Sequence, residues 1–345
     1  MLYAVVQRED AQRLKERLAR LGLLAKGYPV IREGESVGFP LTRRPKEGEV
    51  DAELKELEAK PLLQLSSSRV VLSRSFDLIG NVAIVRAKRG FDRVAATQEA
   101  ELLMKANPAV KGVFARAGPI EGEYRVSPLV HLAGSSETLT THRENGFSYL
   151  IDVEKVFFSP RLATERRRVY SQVRPGERVL DMFAGVGPFS IPMAKAGATV
   201  WACEINPHAL DLLERNSSLN GVTIRTFPGD ARAAAEGQAR GWANRIVMNL
   251  PSRSLDFLDA ALSAISASGG ILHIYVRSNE DPSPKLSAIG KISFSRLLKE
   301  VSSKERVYAA DVIVKRAPKL KTRILKDLWE IFSRFSKTTT QGPRR

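Results

Sequence analysis

Val179-Leu180-Asp181-Met182-Phe183-Ala184-Gly185-Val186-Gly187-Pro188-Phe189-Ser190 is the stretch that decides the fold. An apolar run ends in an acid, two glycines turn the chain, and a helical pattern follows. A β-strand delivers a nucleotide-like ligand to the start of a helix in this way in a doubly wound sheet. Glycines at Gly185 and Gly187 let the backbone approach a ligand with no Cβ in between. Asp181 falls at the carboxyl end of its strand, where open α/β sheets bind ligands. Ser190 stands in place of the third glycine of the dinucleotide fingerprint, and no Gly-Lys-Ser/Thr follows. The stretch is therefore neither the full fingerprint nor a P-loop.

Three more strand ends extend the pattern. Thr199 to Cys203 is a β-rich run ending at Glu204, and Ile205-Asn206-Pro207 then breaks it before a helical pattern. Thr223 to Phe227 leads through Pro228-Gly229 to Asp230, and Arg245 to Met248 ends in Asn249-Leu250-Pro251. Singly, each polar residue is an ordinary loop residue; Asp181, Glu204, Asp230 and Asn249 in order form a ligand site. The second acid is placed to accept from ribose hydroxyls and the third from an adenine amine. With no phosphate-binding lysine, the array suits adenine, ribose and a zwitterionic tail, which is S-adenosyl-L-methionine. Asn249-Leu250-Pro251 resembles the Asn-Pro-Pro-aromatic motif of methyltransferases acting on planar nitrogens. Its amide and a neighbouring carbonyl can orient a ring N–H, and the proline fixes the backbone. Ser252 replaces the aromatic residue, so no stacking clamp is supplied there.

The bulk properties fit a polyanion-binding protein. A chain of 345 residues suits two or three domains. It has no apolar run of about 18 residues, so no membrane span is expected. Met1 to Arg8 lacks a basic region before its apolar stretch and reads as a strand rather than a secretion signal. Cys203 is the only cysteine, which excludes an internal disulfide and a cysteine-based metal site; no metal is expected, and the compartment expected is the cytoplasm. The net charge of +16 points to RNA or DNA first and to an anionic membrane surface second, the latter without a supporting basic amphipathic helix.

Composition divides the chain into four segments. Residues 1–65 read as a small α/β module: a strand from Leu2 to Val6, a basic helix from Asp10 to Leu21, strands at Tyr28 to Ile31 and Ser36 to Pro40, and a charged, helix-leaning Glu53 to Lys60. Pro61 and Ser66-Ser67-Ser68 suggest a linker. Residues 70–155 read as an α+β domain, with a strand at Val82 to Val85, a helix from Val94 to Ala106, and strands at Lys111 to Ala115, Gly122 to Val126, Val130 to Gly134, Thr138 to His142 and Phe147 to Val153. Residues 156–315 carry the Rossmann-like domain with its mostly parallel, doubly wound sheet. Residues 316–345 form a basic tail with a helical pattern over Leu325 to Phe335, a possible RNA contact. Pro160 suits a helix start, and Arg161 and Glu165 then share a face. They are either a surface ion pair or a carboxylate held beside a methyl donor by basic neighbours.

Several of these motifs together resemble a known family. Val82 to Val85, Thr141-His142-Arg143-Glu144-Asn145-Gly146, Lys155-Val156-Phe157-Phe158-Ser159-Pro160-Arg161, Asp181 to Ser190, Glu204 to Ala209 and Met248-Asn249-Leu250-Pro251 look like the archaeal and eukaryotic type of tRNA (guanine-37-N1)-methyltransferase. The likeness runs over about residues 70 to 280. It implies a class I methyltransferase domain and methylation of N1 of the guanosine 3′ of the anticodon, with S-adenosylmethionine as donor. It also implies a small N-terminal domain docking on the outer corner of tRNA, and a monomer is expected. By position, Glu165 matches the general base, Arg125 the arginine that steadies guanine O6, and Asn249 and Pro251 the residues beside the target base. Phe157, Asp181, Glu204 and Asp230 match donor positions, and Arg161, Phe183, Gly185, Gly187, Ile205, Asn206 and Asn249 complete the expected donor set. Two alternatives stay open: a wyosine-pathway enzyme on the same fold, adding a C7 methyl or an aminocarboxypropyl group, and a non-catalytic RNA-binding relic.

Overall fold

The computed structural model describes residues 1–25, 30–57, 76–86, 92–118, 122–302 and 305–315. The basic tail over 316–345, the linker around Pro61 and Ser66 to Ser68, and the start of the strand expected at Tyr28 lie outside the described residues. Contacts divide the chain into two units, Met1–Val70 and Val71–Arg345.

The first unit is an antiparallel sheet in the order Ile31–Glu33, Ser36–Pro40, Leu2–Gln7, Glu53–Glu56, with one helix, Ala11–Arg20. Leu14 and Leu18, four apart and so on one face, bury against Ala4, Val37 and Phe39. Apart from the half-buried Ala11, the other helix positions are exposed, as expected of a helix on one side of a small sheet. Glu53–Glu56 is a strand, not the helix expected from its composition. It pairs with the edge of Leu2–Gln7, whose free backbone groups outweigh the weak helix preference of four residues. All four side chains are exposed, and their charges protect the new edge from further pairing.

The second unit is built around a seven-stranded sheet in the order Arg225–Pro228, Thr199–Glu204, Arg178–Asp181, Arg245–Met248, Gly270–Ser278, Arg306–Val314, Lys291–Glu300. The first five strands run parallel, and Arg306–Val314 runs antiparallel to both of its neighbours. Alternate residues face opposite helix layers. Leu180, Ile246, Met248, Leu272 and Ile274 pack on one side, and Val179, Val247 and Tyr275 on the other. Burial on both faces explains why these strands read as nearly continuous apolar runs. Arg178–Asp181 has Thr199–Glu204 on one side and Arg245–Met248 on the other, so the chain reverses its direction of winding there. Such a switch point opens a crevice above the carboxyl ends of the strands.

Residues before this sheet form a four-stranded sheet, Asp77–Ile79, Val82–Arg86, Gly112–Arg116, Leu129–Gly134, and a hairpin, Leu139–Glu144 with Phe147–Asp152. The helix Arg93–Ala106, capped by Asp92 accepting from the Val94 N–H at 2.9 Å, links the two parallel strands of that sheet. Gly122 to Val126 is a turn, not the expected strand, and Arg125 within it takes φ +55°. Among the described residues, no helix is long and apolar enough to cross a membrane.

Candidate active site

A cleft of about 1250 Å³ opens above the switch point, wholly within the second unit. The glycine turn forms its floor. Gly185 takes φ +56° and lines the cleft, and a Cβ there would project into open space. Gly187 takes φ +90°, and a Cβ would sit 2.5 Å from Leu213 Cδ1 and 2.9 Å from Ile191 Cδ1. The two glycines therefore do different work. Gly185 keeps the cleft open, and Gly187 lets the turn pack onto the helices behind it.

Glu204 braces the same turn from the second strand. Its Oε2 accepts from the Gly185 N–H at 2.7 Å and its Oε1 from the Asn206 N–H at 2.8 Å. Burial raises its carboxyl pKa, although these backbone donors pull the other way. Asn206 caps the helix Pro207–Leu219 by accepting from the His208 N–H at 3.0 Å, and donates to the Lys155 carbonyl at 2.8 Å. Asp230 caps the next helix and pairs with Arg232 at 2.6 Å, a hydrogen bond that holds its carboxyl below the usual range. Phe183 meets Phe257 edge-on at 4.9 Å. Phe157, Arg161, Phe183, Glu204, Ile205, Asn206 and Asp230 all line the cleft.

Asp181 does not. It is fully buried beneath the turn, where Oδ2 accepts from Ser190 Oγ at 2.7 Å and Oδ1 from the Phe183 N–H at 3.3 Å. Burial pushes its carboxyl up to about 7. Ser190, the departure from the dinucleotide fingerprint, is thus the hydroxyl that satisfies this acid.

The same cleft also brings together Arg125, Phe157, Asn249 and Pro251. Arg125 donates from Nη1 to Ser252 Oγ at 2.6 Å and lies 5.7 Å from the Phe157 ring centroid. Residues 127 positions apart in the chain meet here. The left-handed backbone of Arg125 costs a non-glycine residue about 1 kcal/mol, a strain typical of functional positions. Burial and Arg277 lower its pKa. The Pro251 carbonyl accepts from the Arg277 N–H at 2.8 Å, which fixes the motif. The Asn249 amide makes no hydrogen bond among the described residues and is free for a ligand.

Pro160–Leu162 is a turn of 3-10 helix before the α-helix Ala163–Tyr170. This change of winding separates Arg161 from Glu165. Arg161 turns away to pair with Asp77 at 2.6 Å, and the Arg161–Glu165 pair open in the sequence reading does not form. Glu165 is buried, and Arg168 grips it with two bonds, Nε to Oε2 at 3.0 Å and Nη2 to Oε1 at 2.7 Å. Tyr275 Oη donates to Oε1 at 2.9 Å. Tyr275 lines the cleft, whereas Glu165 lies just behind it. The array continues inward. Arg168 Nη2 donates to Asp311 Oδ1 at 2.9 Å, His273 Nδ1 to Asp311 Oδ1 at 2.7 Å, Arg245 Nη1 to His273 Nε2 at 2.6 Å, and Arg245 Nε to Glu177 Oε2 at 2.7 Å. Arg245 can only donate, so His273 carries its proton on Nδ1. Burial lowers the His273 pKa, which keeps the ring neutral. Beside this array, the buried Arg166 donates through Nε to Glu144 Oε1 at 2.6 Å.

Tyr275, Ser252 and Arg168 are site residues the sequence reading missed. Tyr275 reads as one apolar position in the buried strand Gly270–Ser278, and its partner Glu165 is 110 residues away.

The strand order, the glycine turn and the acid at the second strand end define a class I methyltransferase, whose donor is S-adenosylmethionine. The sequence pattern of the TRM5/TYW2 methyltransferase domain matches residues 140–312. The chain is 40% identical over 275 residues to the tRNA (guanine(37)-N(1))-methyltransferase Trm5b of Pyrococcus abyssi, covering 77% of this chain and 81% of that protein. Its identity to Trm5b of Methanocaldococcus jannaschii is 33% over 332 residues, covering 89% and 96%. A solved complex of aTrm5 and tRNALeu superposes with a TM-score of 0.66 at 31% identity, covering 91% of this chain and 100% of that one. This chain belongs to the TRM5/TYW2 methyltransferase family.

Proposed function

We propose that this protein transfers a methyl group from S-adenosylmethionine to N1 of guanosine 37 of tRNA. The observation that carries the reading is the meeting of two sets of residues in one cleft. Gly185, Glu204 and Asp230 line it, and so do Arg125, bonded to Ser252, Asn249 and Pro251. The donor fits the first set. The carboxylates of Glu204 and Asp230 can accept from ribose hydroxyls and an adenine amine, Phe183 offers an apolar surface, and the open space at Gly185 admits the ligand to the backbone. When bound, S-adenosylmethionine supplies an electrophilic methyl group on its sulfonium sulfur.

The residues of the second set act on the base. Guanine N1 carries a proton at neutral pH and becomes a nucleophile only as that proton leaves. Charge then builds on O6, where the Arg125 guanidinium can stabilise it. The free amide of Asn249 and the fixed backbone at Pro251 orient the ring edge. Glu165 is the proton acceptor, with Arg168 holding its carboxylate in one orientation. The Tyr275 side chain, which lines the cleft and is already bonded to Oε1, marks the side from which the proton arrives. Residues 1–65 serve as the module that docks on the outer corner of tRNA, supported by their own sheet and core. The enzyme acts as a monomer in the cytoplasm.

Incubating purified protein and labelled donor with unmodified tRNA transcripts carrying G37 or another base tests the reading. Nucleoside mass analysis should find N1-methylguanosine only with G37. Absence of N1-methylguanosine with G37, or transfer only to a tRNA already carrying the tricyclic wyosine precursor at position 37, would refute it. Glu165→Gln should keep donor binding and slow single-turnover methyl transfer by about 10²- to 10⁴-fold; an unchanged rate would remove Glu165 from the chemistry.

A further inference from the structure

Four cations converge on one side of the cleft. Arg86 and Arg116 end two neighbouring parallel strands and are paired in register. Arg161 comes from the 3-10 turn and Lys299 from the edge strand Lys291–Glu300. All four line the cleft. Asp77 is the carboxylate among them, shared between Arg161 at 2.6 Å and Arg116 at 3.9 Å. Among the described residues, neither Arg86 nor Lys299 has a carboxylate within 4.0 Å. Burial, Arg86 and Arg161 together lower the Lys299 pKa, and burial lowers that of Arg116, with Arg86 and Arg161 adding to it.

Side-by-side like charges on adjacent strands destabilise a sheet. Four separate elements nevertheless bring them to one place, with a net charge that Asp77 does not balance. An anion with several oxygens relieves that repulsion, since arginine forks and a lysine match phosphate geometry. S-adenosylmethionine has no phosphate, and its recognition uses the other walls. Resting on the proposed function, we infer that Arg86, Arg116, Arg161 and Lys299 form a phosphodiester-binding cradle that holds the RNA backbone beside the target nucleoside. Arg161 and Arg116 are held in place by Asp77. Arg86 and Lys299 close on the phosphate. The cradle fixes the strand while the base enters the cleft, so it acts on RNA affinity and positioning rather than on donor binding.

Arg86→Ala, Lys299→Ala and the double variant test this in the full chain, with labelled tRNA bound at a series of salt concentrations. Each substitution should flatten the dependence of log affinity on log salt by about 0.7 to 1, the slope of one lost phosphate contact. KM for tRNA should rise several-fold, and the dissociation constant of S-adenosylmethionine should not move. Lys195→Ala, outside the cleft, should leave the slope unchanged. An unchanged slope in the double variant, or an equal flattening in Lys195→Ala, would overturn the cradle. Should wild-type protein methylate no guanosine, the functional reading fails while the salt titration still reports on the cradle.

Discussion

Replacing Asp181 with asparagine asks whether this carboxyl grips the donor, as its place at the strand end suggests, or braces the glycine turn from below. Burial lifts its pKa from an ordinary 3.8 to about 7. At about 1.4 kcal/mol per pH unit, that difference amounts to about 4 kcal/mol as an upper figure. The folded chain binds this proton more tightly than the unfolded chain does. The proton's stabilising contribution is therefore complete below about pH 4, shrinks as pH rises, and is gone above about pH 7, where a buried charge must be carried. The D181N amide keeps the shape and an acceptor for the Phe183 N–H but does not ionise. The stability of D181N minus that of wild type should therefore climb between pH 4 and pH 7 and level off above, by up to about 4 kcal/mol. Urea denaturation across pH 4.5 to 8.5 at fixed ionic strength measures this difference. Donor titration alongside should show less than about tenfold change, because the carboxyl is not on the cleft surface. A flat difference with pH, together with a large loss of donor affinity, would refute the argument and return Asp181 to the ligand.

The two glycines should separate stability from binding. Gly187→Ala meets Leu213 at 2.5 Å and φ +90°, and should cost about 2–4 kcal/mol in urea denaturation. Gly185→Ala meets open space and should cost about 1 kcal/mol, but should weaken donor binding measured by calorimetry. Glu144→Ala strands the buried Arg166 and should destabilise the fold by about 3–5 kcal/mol, read from the denaturation midpoint. Ser252→Ala releases Arg125 and should lower kcat/KM about fivefold, against about 10²-fold or more for Arg125→Ala; equal losses would show that the hydroxyl does more than hold the guanidinium.

The sheet was legible because its signals are local. Strands buried on both faces write long apolar runs, and each run here leads to a polar residue beside a glycine or proline turn. Glu204, Asp230 and Asn249 follow from that grammar alone. Gly122 to Val126 misled because its Gly-Glu-Tyr-Arg-Val alternation imitates a strand, while the tertiary bond from Arg125 to Ser252 holds it as a turn. Glu53 to Glu56 misled in the other direction, since a waiting sheet edge outweighed four helix-leaning residues. Of the partners of Glu165, Arg168 is local, three positions along the same helix, but Tyr275, 110 residues away, could not be read. Arg168 and Asp311 are 143 residues apart and meet only when the sheet is complete. Two departures from familiar motifs proved informative in retrospect. Ser190 and Ser252 each replace an expected residue, and each hydroxyl bonds a charged side chain.

The array from Glu165 through Arg168, Asp311 and His273 to Arg245 and Glu177 has a consequence for how such a protein can drift. Each interior member is held by its two neighbours, with Tyr275 added at the Glu165 end and Gln172 at Asp311 and Arg245, so a change at one position orphans the next. An uncharged replacement at Asp311 would leave a guanidinium and an imidazole competing for nothing, and would be tolerated only alongside a matching change on either side. Divergent relatives should therefore exchange these residues as linked sets, and a chimaera that joins one relative's helix before the glycine turn to another's final strand should fold poorly even where both parents are robust.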